Sequence, residues 1–162
     1  MQIAIAEMKF NGRRGLARYL GQVLGEAVAV QPWVHEIAGI VPVPLHPNRL
    51  AERGYNQAEL LAEGVVRCLE RDYGMAIPLM PALKRIVDTP HQVGQGRQGR
   101  LHNLEDAFAP AEGFQLRDQC LLIVDDVLTT GTTLRACAGS LRSAGAKRVY
   151  TAVAAGVFQF KS

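Results

Sequence analysis

The chain has 162 residues, and 18 lysines and arginines against 15 aspartates and glutamates give it a net charge of +3. With 48% hydrophobic and 20% charged residues it has the composition of an ordinary globular domain, long enough to fold without disulfide bonds or a structural metal. No apolar run approaches the roughly 18 residues of a membrane span. We therefore expect one cytoplasmic domain over residues 1–162, without membrane insertion.

The first third of the chain predicts a helix followed by a short strand. The opening MQIAIAEMKF contains an alternating stretch that is compatible with a strand. The next segment, GRRGLARYLGQVLGEAVAV, predicts a helix whose apolar face comprises Leu16, Tyr19, Leu20, Val23, Leu24 and Ala27. GIVPVPL then predicts a short strand outside the centre of a sheet, because its prolines cannot donate ladder hydrogen bonds.

A second helix has clear start and end signals. Asn56, with Glu59 three residues later, is typical of a capping box, and Gly74 is typical of a helix end. Its predicted apolar face comprises Ala58, Leu61, Val65 and Leu69. AIPLMPAL, directly after it, predicts another short strand.

Residues 84–104 show neither helical nor strand periodicity and contain three glycines. The part from 84 to 103 carries a charge of +3, since one acid, Asp88, stands against Lys84, Arg85, Arg97 and Arg100. An irregular segment of this length is typical either of a functional lid or of a disordered surface loop.

The last third predicts a strand, a helix and a further strand. CLLIV is the clearest buried strand, and KRVYTAVAAGVF is the next one. Between them a helix closed by Gly145 is indicated by the spacing of Leu134, Ala138, Leu141 and Ala144. Strands that alternate with helices predict an α/β fold with three layers, in which helices flank a mainly parallel sheet.

The cysteines and histidines suggest no metal site. Cys68, Cys120 and Cys137 are odd in number, form no C-x-x-C pair and lie among apolar residues, so we expect three buried free thiols. The four histidines show no ligand spacing. No zinc is expected.

The segment LLIVDDVLTTGTTL, residues 121–134, carries the chemistry. Ligands of parallel sheets bind at the carboxyl ends of strands, where Asp125 and Asp126 directly follow CLLIV. Adjacent carboxylates repel each other and can only accept hydrogen bonds, so a cation or a vicinal diol compensates them well. The simplest alternative is that they only solvate the end of a strand.

The five residues that follow predict a phosphate site. They lead into a helix start, where hydroxyls, backbone N–H groups and the helix dipole favour an anion. The residues are Thr129, Thr130, Gly131, Thr132 and Thr133. The alternative here is a simple helix cap. A site for a diol beside a site for a phosphate favours a ribose 5-phosphate.

LLIVDDVLTTGTT resembles the signature with which type I phosphoribosyltransferases bind 5-phosphoribosyl 1-diphosphate (PRPP). More narrowly, the chain from Met8 to Val153 resembles the ComF family of competence-associated, phosphoribosyltransferase-like proteins. Four blocks carry this resemblance in family order: PVPLHPNRLAERGYNQAELLA, RIVDTPHQ, RLHNLEDAF and VDDVLTTGTTL.

The resemblance implies a role for each of these segments. Asp125 and Asp126 would bind the ribose hydroxyls, directly or through Mg²⁺, and residues 129–133 would hold the 5-phosphate. Arg49 and Arg53 would act on the pyrophosphate, unless they only solvate a helix start. Segment 84–103 corresponds to a flexible hood, whose cations for the pyrophosphate would be Arg85, Arg97 and Arg100. The implied reaction is the displacement of pyrophosphate from PRPP by a nitrogen nucleophile.

The chain also departs from related patterns. Purine-salvage members of the fold have an acid where this chain has Thr129, which argues against purine salvage. Many ComF-like proteins have a four-cysteine zinc ribbon before the block with MKF, and this chain begins almost at that block.

The resemblance suggests partners in DNA uptake, among them a competence helicase and single-stranded DNA, but not the acceptor or the oligomeric state. Two alternatives to an enzyme stay open. One is a non-catalytic PRPP or nucleotide sensor or adaptor. The other is a DNA-binding protein that uses segment 84–103 with Lys9, Arg13, Arg14 and Arg18. It is the weaker one, because segment 84–103 has no aromatic residue on which bases could stack.

Overall fold

The computed structural model describes residues 14–87 and 106–156. The helices in this part are α1 (Arg14–Ala29), α2 (Pro47–Arg53), α3 (Gln57–Tyr73) and α4 (Thr132–Ser143). The strands are β1 (Ile37–Pro42), β2 (Leu83–Arg85), β3 (Phe108–Pro110), β4 (Cys120–Leu128) and β5 (Arg148–Gly156). A 3₁₀ turn, Val34–Glu36, precedes β1.

β4 is the central strand of a parallel sheet with the order β1-β4-β5, and β2 and β3 form a separate antiparallel pair. Alternate residues of β4 face opposite layers. Leu121 and Ile123 belong to the core shared with α4 and the β2–β3 pair, whereas Leu122 and Val124 belong to the core shared with α1 and α3. The predicted three-layer α/β fold with a mainly parallel sheet is confirmed.

The buried face of α1 differs from the prediction. Tyr19 and Val23, expected in the core, are 62% and 45% exposed. The face that packs on α3 is instead formed by small residues and one valine: Ala17, Gly21, Gly25 and Val28. Small residues let the two helix backbones approach closely, because a Cβ built on Gly21 would lie 2.2 Å from the carbonyl oxygen of Leu61.

The helix from Asn56 to Gly74 is confirmed at both ends. Asn56 is its N-cap, and Gly74 is its C-cap in a left-handed conformation. AIPLMPAL, predicted as a strand, is one only at its last residue, Leu83, where β2 begins; before that it contributes a single bridge, between Leu79 and Ile40. Its two prolines lack the N–H groups that a ladder needs.

The segment predicted as a hood begins in regular structure, because Lys84 and Arg85 lie in β2. Arg97, Arg100 and the opening MQIAIAEMKF lie outside the described residues. The three cysteines are buried free thiols, as predicted. In the described ranges, no helix combines the length and the apolar character needed to cross a bilayer.

Candidate functional site

The site lies where β1 and β4 reach the same edge of the sheet. β1 ends at Pro42, opposite Val124, whereas β4 stays paired with β5 as far as Leu128 and Gly156. Asp125 and Asp126, the acid pair, therefore lie inside β4 and not after it, which corrects the sequence prediction. β5 pairs with β4 beside the acid pair, and among the described residues no strand pairs with β4 there on its other side.

A backbone N–H within the acid pair holds one of its two carboxylates in place. The Asp126 N–H donates to Oδ1 of Asp125 at 2.8 Å, and both residues are half-buried. Burial of the Cys137 thiol on α4, and after it the charge of Asp125, raise the pKa of that thiol to about 12. Asp125 therefore acts on the α4 side of the sheet. The Arg85 guanidinium opposes that effect on the pKa. Asp125 and Arg85 therefore act with opposite signs on the same buried thiol.

The threonine loop, residues 129–133, joins β4 directly to α4. Gly131 is the N-cap of α4 and has a φ of 72°, a left-handed conformation that glycine adopts without strain. Glycine has no side chain to cap the helix, and the Thr132 N–H makes only a long contact, 3.5 Å, with Thr130 Oγ1, so the first N–H groups can face an anion. Thr130 Oγ1 and Thr132 Oγ1 are 2.8 Å apart, which brings two hydroxyls together beside these groups.

Arg135 is a member of this loop region that the sequence reasoning missed. Its Nη2 donates to Thr132 Oγ1 at 3.4 Å. Residues three apart on a helix are neighbours, so the spacing from Thr132 was the available signal. Arg135 gives the threonine loop a positive charge in addition to the helix dipole.

The arginines predicted to contact pyrophosphate lie on α2, which follows β1 at the same edge. Arg49 Nη1 lies 3.9 Å from Oε2 of Glu52; the Arg49 side chain is half-buried and the Glu52 side chain is exposed. Arg53, the last residue of α2, donates from Nη1 to Oε1 of Gln57 at 3.3 Å. Arg49 lies in the first turn of α2 and Arg53 shortly before the Asn56 cap of α3, so both lie close to a helix start.

Asn56 connects α3 to the end of the sheet, a second contribution that sequence reasoning missed. Its Oδ1 accepts from the Ala58 N–H at 3.1 Å, and its Nδ2 donates to the Val43 carbonyl at 2.9 Å. The Val43 N–H in turn donates to the Val124 carbonyl, next to the acid pair, at 3.0 Å. The buried Asn56 side chain therefore holds the segment after β1 against β4.

Replacing Asn56 with alanine should lower the free energy of unfolding by about 2–3 kcal/mol, because a helix cap is lost and the buried Val43 carbonyl loses its donor. Urea unfolding followed by circular dichroism measures this change. Asn48→Ala, at an exposed position of α2, is the matched control. Equal, small losses in both variants would contradict the connecting role of Asn56.

Arg85 is held by the β2–β3 pair. Its Nε donates to the Val87 carbonyl at 3.3 Å, and its guanidinium lies 5.6 Å from the centre of the Phe108 ring. Of the three predicted hood cations, Arg85 alone falls in the described residues, and there it belongs to a strand.

The acid pair and the threonine loop share one continuous segment, with α2 at the same edge.

Comparison with known proteins finds one matching domain family and several proteins of similar sequence. Residues 58–158 match the model of the phosphoribosyl transferase domain. Competence protein F of Haemophilus influenzae is 35% identical over 92% of this chain, and the DNA utilization protein YhgH of Salmonella typhimurium is 30% identical over 92%. The chain spans 65% and 64% of the lengths of these relatives.

A solved structure shows the same fold. The allosteric regulatory enzyme of purine biosynthesis superposes on 85% of this chain and on 25% of its own, with a TM-score of 0.56 and 21% identity. At this identity the likeness concerns the fold alone.

Proposed function

The chain belongs to the ComF family and carries a phosphoribosyl transferase domain, and from that premise we propose that it binds PRPP at the carboxyl edge of its sheet. One observation carries the proposal. The acid pair and the threonine loop lie in a single segment, which passes from β4 through Gly131 into α4. Acceptors for a diol and donors for a phosphate are thereby only a few residues apart, as a ribose 5-phosphate requires.

Each part of PRPP has a matching group. The ribose hydroxyls would donate to the carboxylates of Asp125 and Asp126, which can only accept hydrogen bonds when ionised. The 5-phosphate would accept from the first N–H groups of α4 and from the threonine hydroxyls. Arg135, already in contact with Thr132, would add a charge-assisted contact.

The residues of the site fit Mg²⁺. Among the described residues, no three His, Cys, Asp or Glu side chains gather as a metal site. Mg²⁺ is usually held by one or two carboxylates together with waters and substrate phosphates, and the acid pair supplies such carboxylates. When bound, Mg²⁺ would supply charge neutralisation of the pyrophosphate group.

The reaction that fits these groups is transfer of the phosphoribosyl group to a nitrogen acceptor. The bond from ribose C1 to pyrophosphate breaks as a bond from C1 to the acceptor nitrogen forms. The Arg49 and Arg53 guanidinium groups at the same edge would stabilise negative charge on the departing pyrophosphate. Thr129 cannot serve as a general base, so we propose an acceptor that needs no carboxylate at this position.

The cellular role that we propose is DNA uptake or utilisation. It draws on two relatives, named as a competence protein and a DNA utilization protein. A competence helicase and single-stranded DNA would be the corresponding partners. Arg18 is the less suited of the described arginines to bind DNA, because the Glu63 carboxylate pairs with it, whereas the partner of Arg14 is the neutral Gly54 carbonyl.

Binding of PRPP should stabilise the protein against heat. Ligand at 100 times its dissociation constant adds about 2.7 kcal/mol, which corresponds to a rise in Tm of roughly 5–10 °C for a domain of this size. Differential scanning fluorimetry with PRPP and Mg²⁺ measures it. An unchanged Tm at millimolar PRPP would contradict the proposal.

Release of pyrophosphate then separates an enzyme from a sensor. Turnover with PRPP, Mg²⁺ and a panel of nitrogen acceptors is expected for the enzyme. Stabilisation by PRPP without pyrophosphate release from any acceptor would identify the protein as a PRPP-binding module.

A further inference from the structure

Gln57 is a buried amide with an incomplete set of hydrogen bonds. It is the first residue of α3, beside the end of α2, and is 2% exposed. Its Oε1 accepts from Nη1 of Arg53, while its Nε2 has no partner among the described residues. Buried donors are usually paired, so an unpaired one in the site needs an explanation.

The two arginines of α2 differ in what holds them. Arg49 lies beside a carboxylate, that of Glu52. The half-buried Arg53 is held by the neutral carboxamide of Gln57, and its hydrogen bonds within the described residues include no carboxylate. Arg53 is therefore oriented while its positive charge stays available to an anion.

We propose that Gln57 is a positioning residue that presents the charged Arg53 to the pyrophosphate group of the ligand. The inference rests on the proposed function and adds a basis for selectivity. The threonine loop recognises the 5-phosphate, which PRPP shares with ribose 5-phosphate. Arg53, held by Gln57, recognises the pyrophosphate on C1, which ribose 5-phosphate lacks.

Glutamate at position 57 would place a carboxylate beside Arg53 at an almost fully buried position, where the cost of desolvation opposes the gain from pairing. A carboxylate in the first turn of α3 would interact favourably with the helix dipole and form an ion pair with Arg53. It would also remove the unpaired Nε2 donor. The same carboxylate would neutralise Arg53, whereas glutamine keeps a cation for the ligand.

The test measures binding of PRPP with Mg²⁺ and of ribose 5-phosphate by isothermal titration calorimetry, for the wild-type protein and for Gln57→Glu. We expect the variant to bind PRPP about tenfold more weakly and ribose 5-phosphate within about twofold of the wild type. Circular dichroism and the Tm without ligand establish that the variant is folded before the affinities are compared. A purely structural role for Gln57 would leave the ratio of the two affinities unchanged.

Two further variants complete the test. Gln31→Glu adds the same charge before β1, at the opposite edge of the sheet, and should leave the ratio unchanged. Gln57→Met keeps the side-chain length but offers no acceptor to Arg53, so it should also lower the preference for PRPP, and it decides the question if Gln57→Glu does not fold.

The outcomes separate the two proposals. If the wild type prefers PRPP and both Gln57 variants keep that preference, the role of Gln57 is overturned and the proposed function stands. If the wild type binds neither ligand, both proposals fall.

Discussion

Replacing Asp126 with asparagine is expected to weaken PRPP binding by at least about 100-fold and to abolish any turnover. The variant keeps the shape of the side chain but removes the charge that would accept ribose hydroxyls and attract Mg²⁺. Because Asp126 is half-buried and lies next to Asp125, loss of one of two like charges should leave the free energy of unfolding within about 0.5 kcal/mol of the wild type. Isothermal titration calorimetry and urea unfolding measure the two quantities.

Asp118→Asn is the matched control for this variant. Asp118 is exposed in the turn before β4, at the opposite end of the strand, and has a φ of 61° that asparagine tolerates. It should bind PRPP as the wild type does. Wild-type affinity in Asp126→Asn would remove the acid pair from the proposed site.

Replacing Gly21 with alanine is expected to lower the free energy of unfolding by about 3 kcal/mol or more, a large part of the 5–15 kcal/mol typical of a domain. The new Cβ would lie 2.2 Å from the Leu61 carbonyl oxygen and 2.9 Å from the Gly64 Cα. Both are backbone atoms, so α1 and α3 would have to separate. Urea unfolding followed by circular dichroism measures the loss.

Gly15→Ala is the control on the same helix. Among the described residues, a Cβ at Gly15 meets nothing within 4 Å, so the higher helix propensity of alanine should add roughly 0.5–1 kcal/mol to the free energy of unfolding. If Gly21→Ala were as well tolerated as Gly15→Ala, the close approach of α1 and α3 would be wrong.

The parts of the site that were predicted from sequence are contiguous in the chain. The acid pair, the threonine loop and the start of α4 occupy one short segment, and their residue types by themselves limit what they can bind. The caps of α3 were equally predictable, because Asn56 and Gly74 act on backbone within a few residues of themselves. Local chemistry of this kind needs no knowledge of distant neighbours.

The parts that were wrong or missed depend on distant segments. Periodicity assigned Tyr19 and Val23 to the core because large apolar residues usually fill it, but contact with Gly64 selects glycine on α1. The end of β4 was placed too early, since pairing with β5 continues past Val124. No sequence pattern shows which strand remains as a neighbour.

Sequence alone determined the α/β class, the central strand and the acid and threonine groups, because each follows from residues that are adjacent or one helical turn apart. Only the tertiary structure decided which face of α1 is buried, that Asn56 connects α3 to β4 through Val43, and that Gln57 holds Arg53 with a neutral acceptor. These features depend on where separate segments meet, and on the absence of a carboxylate partner for Arg53 among the described residues, which no local pattern encodes.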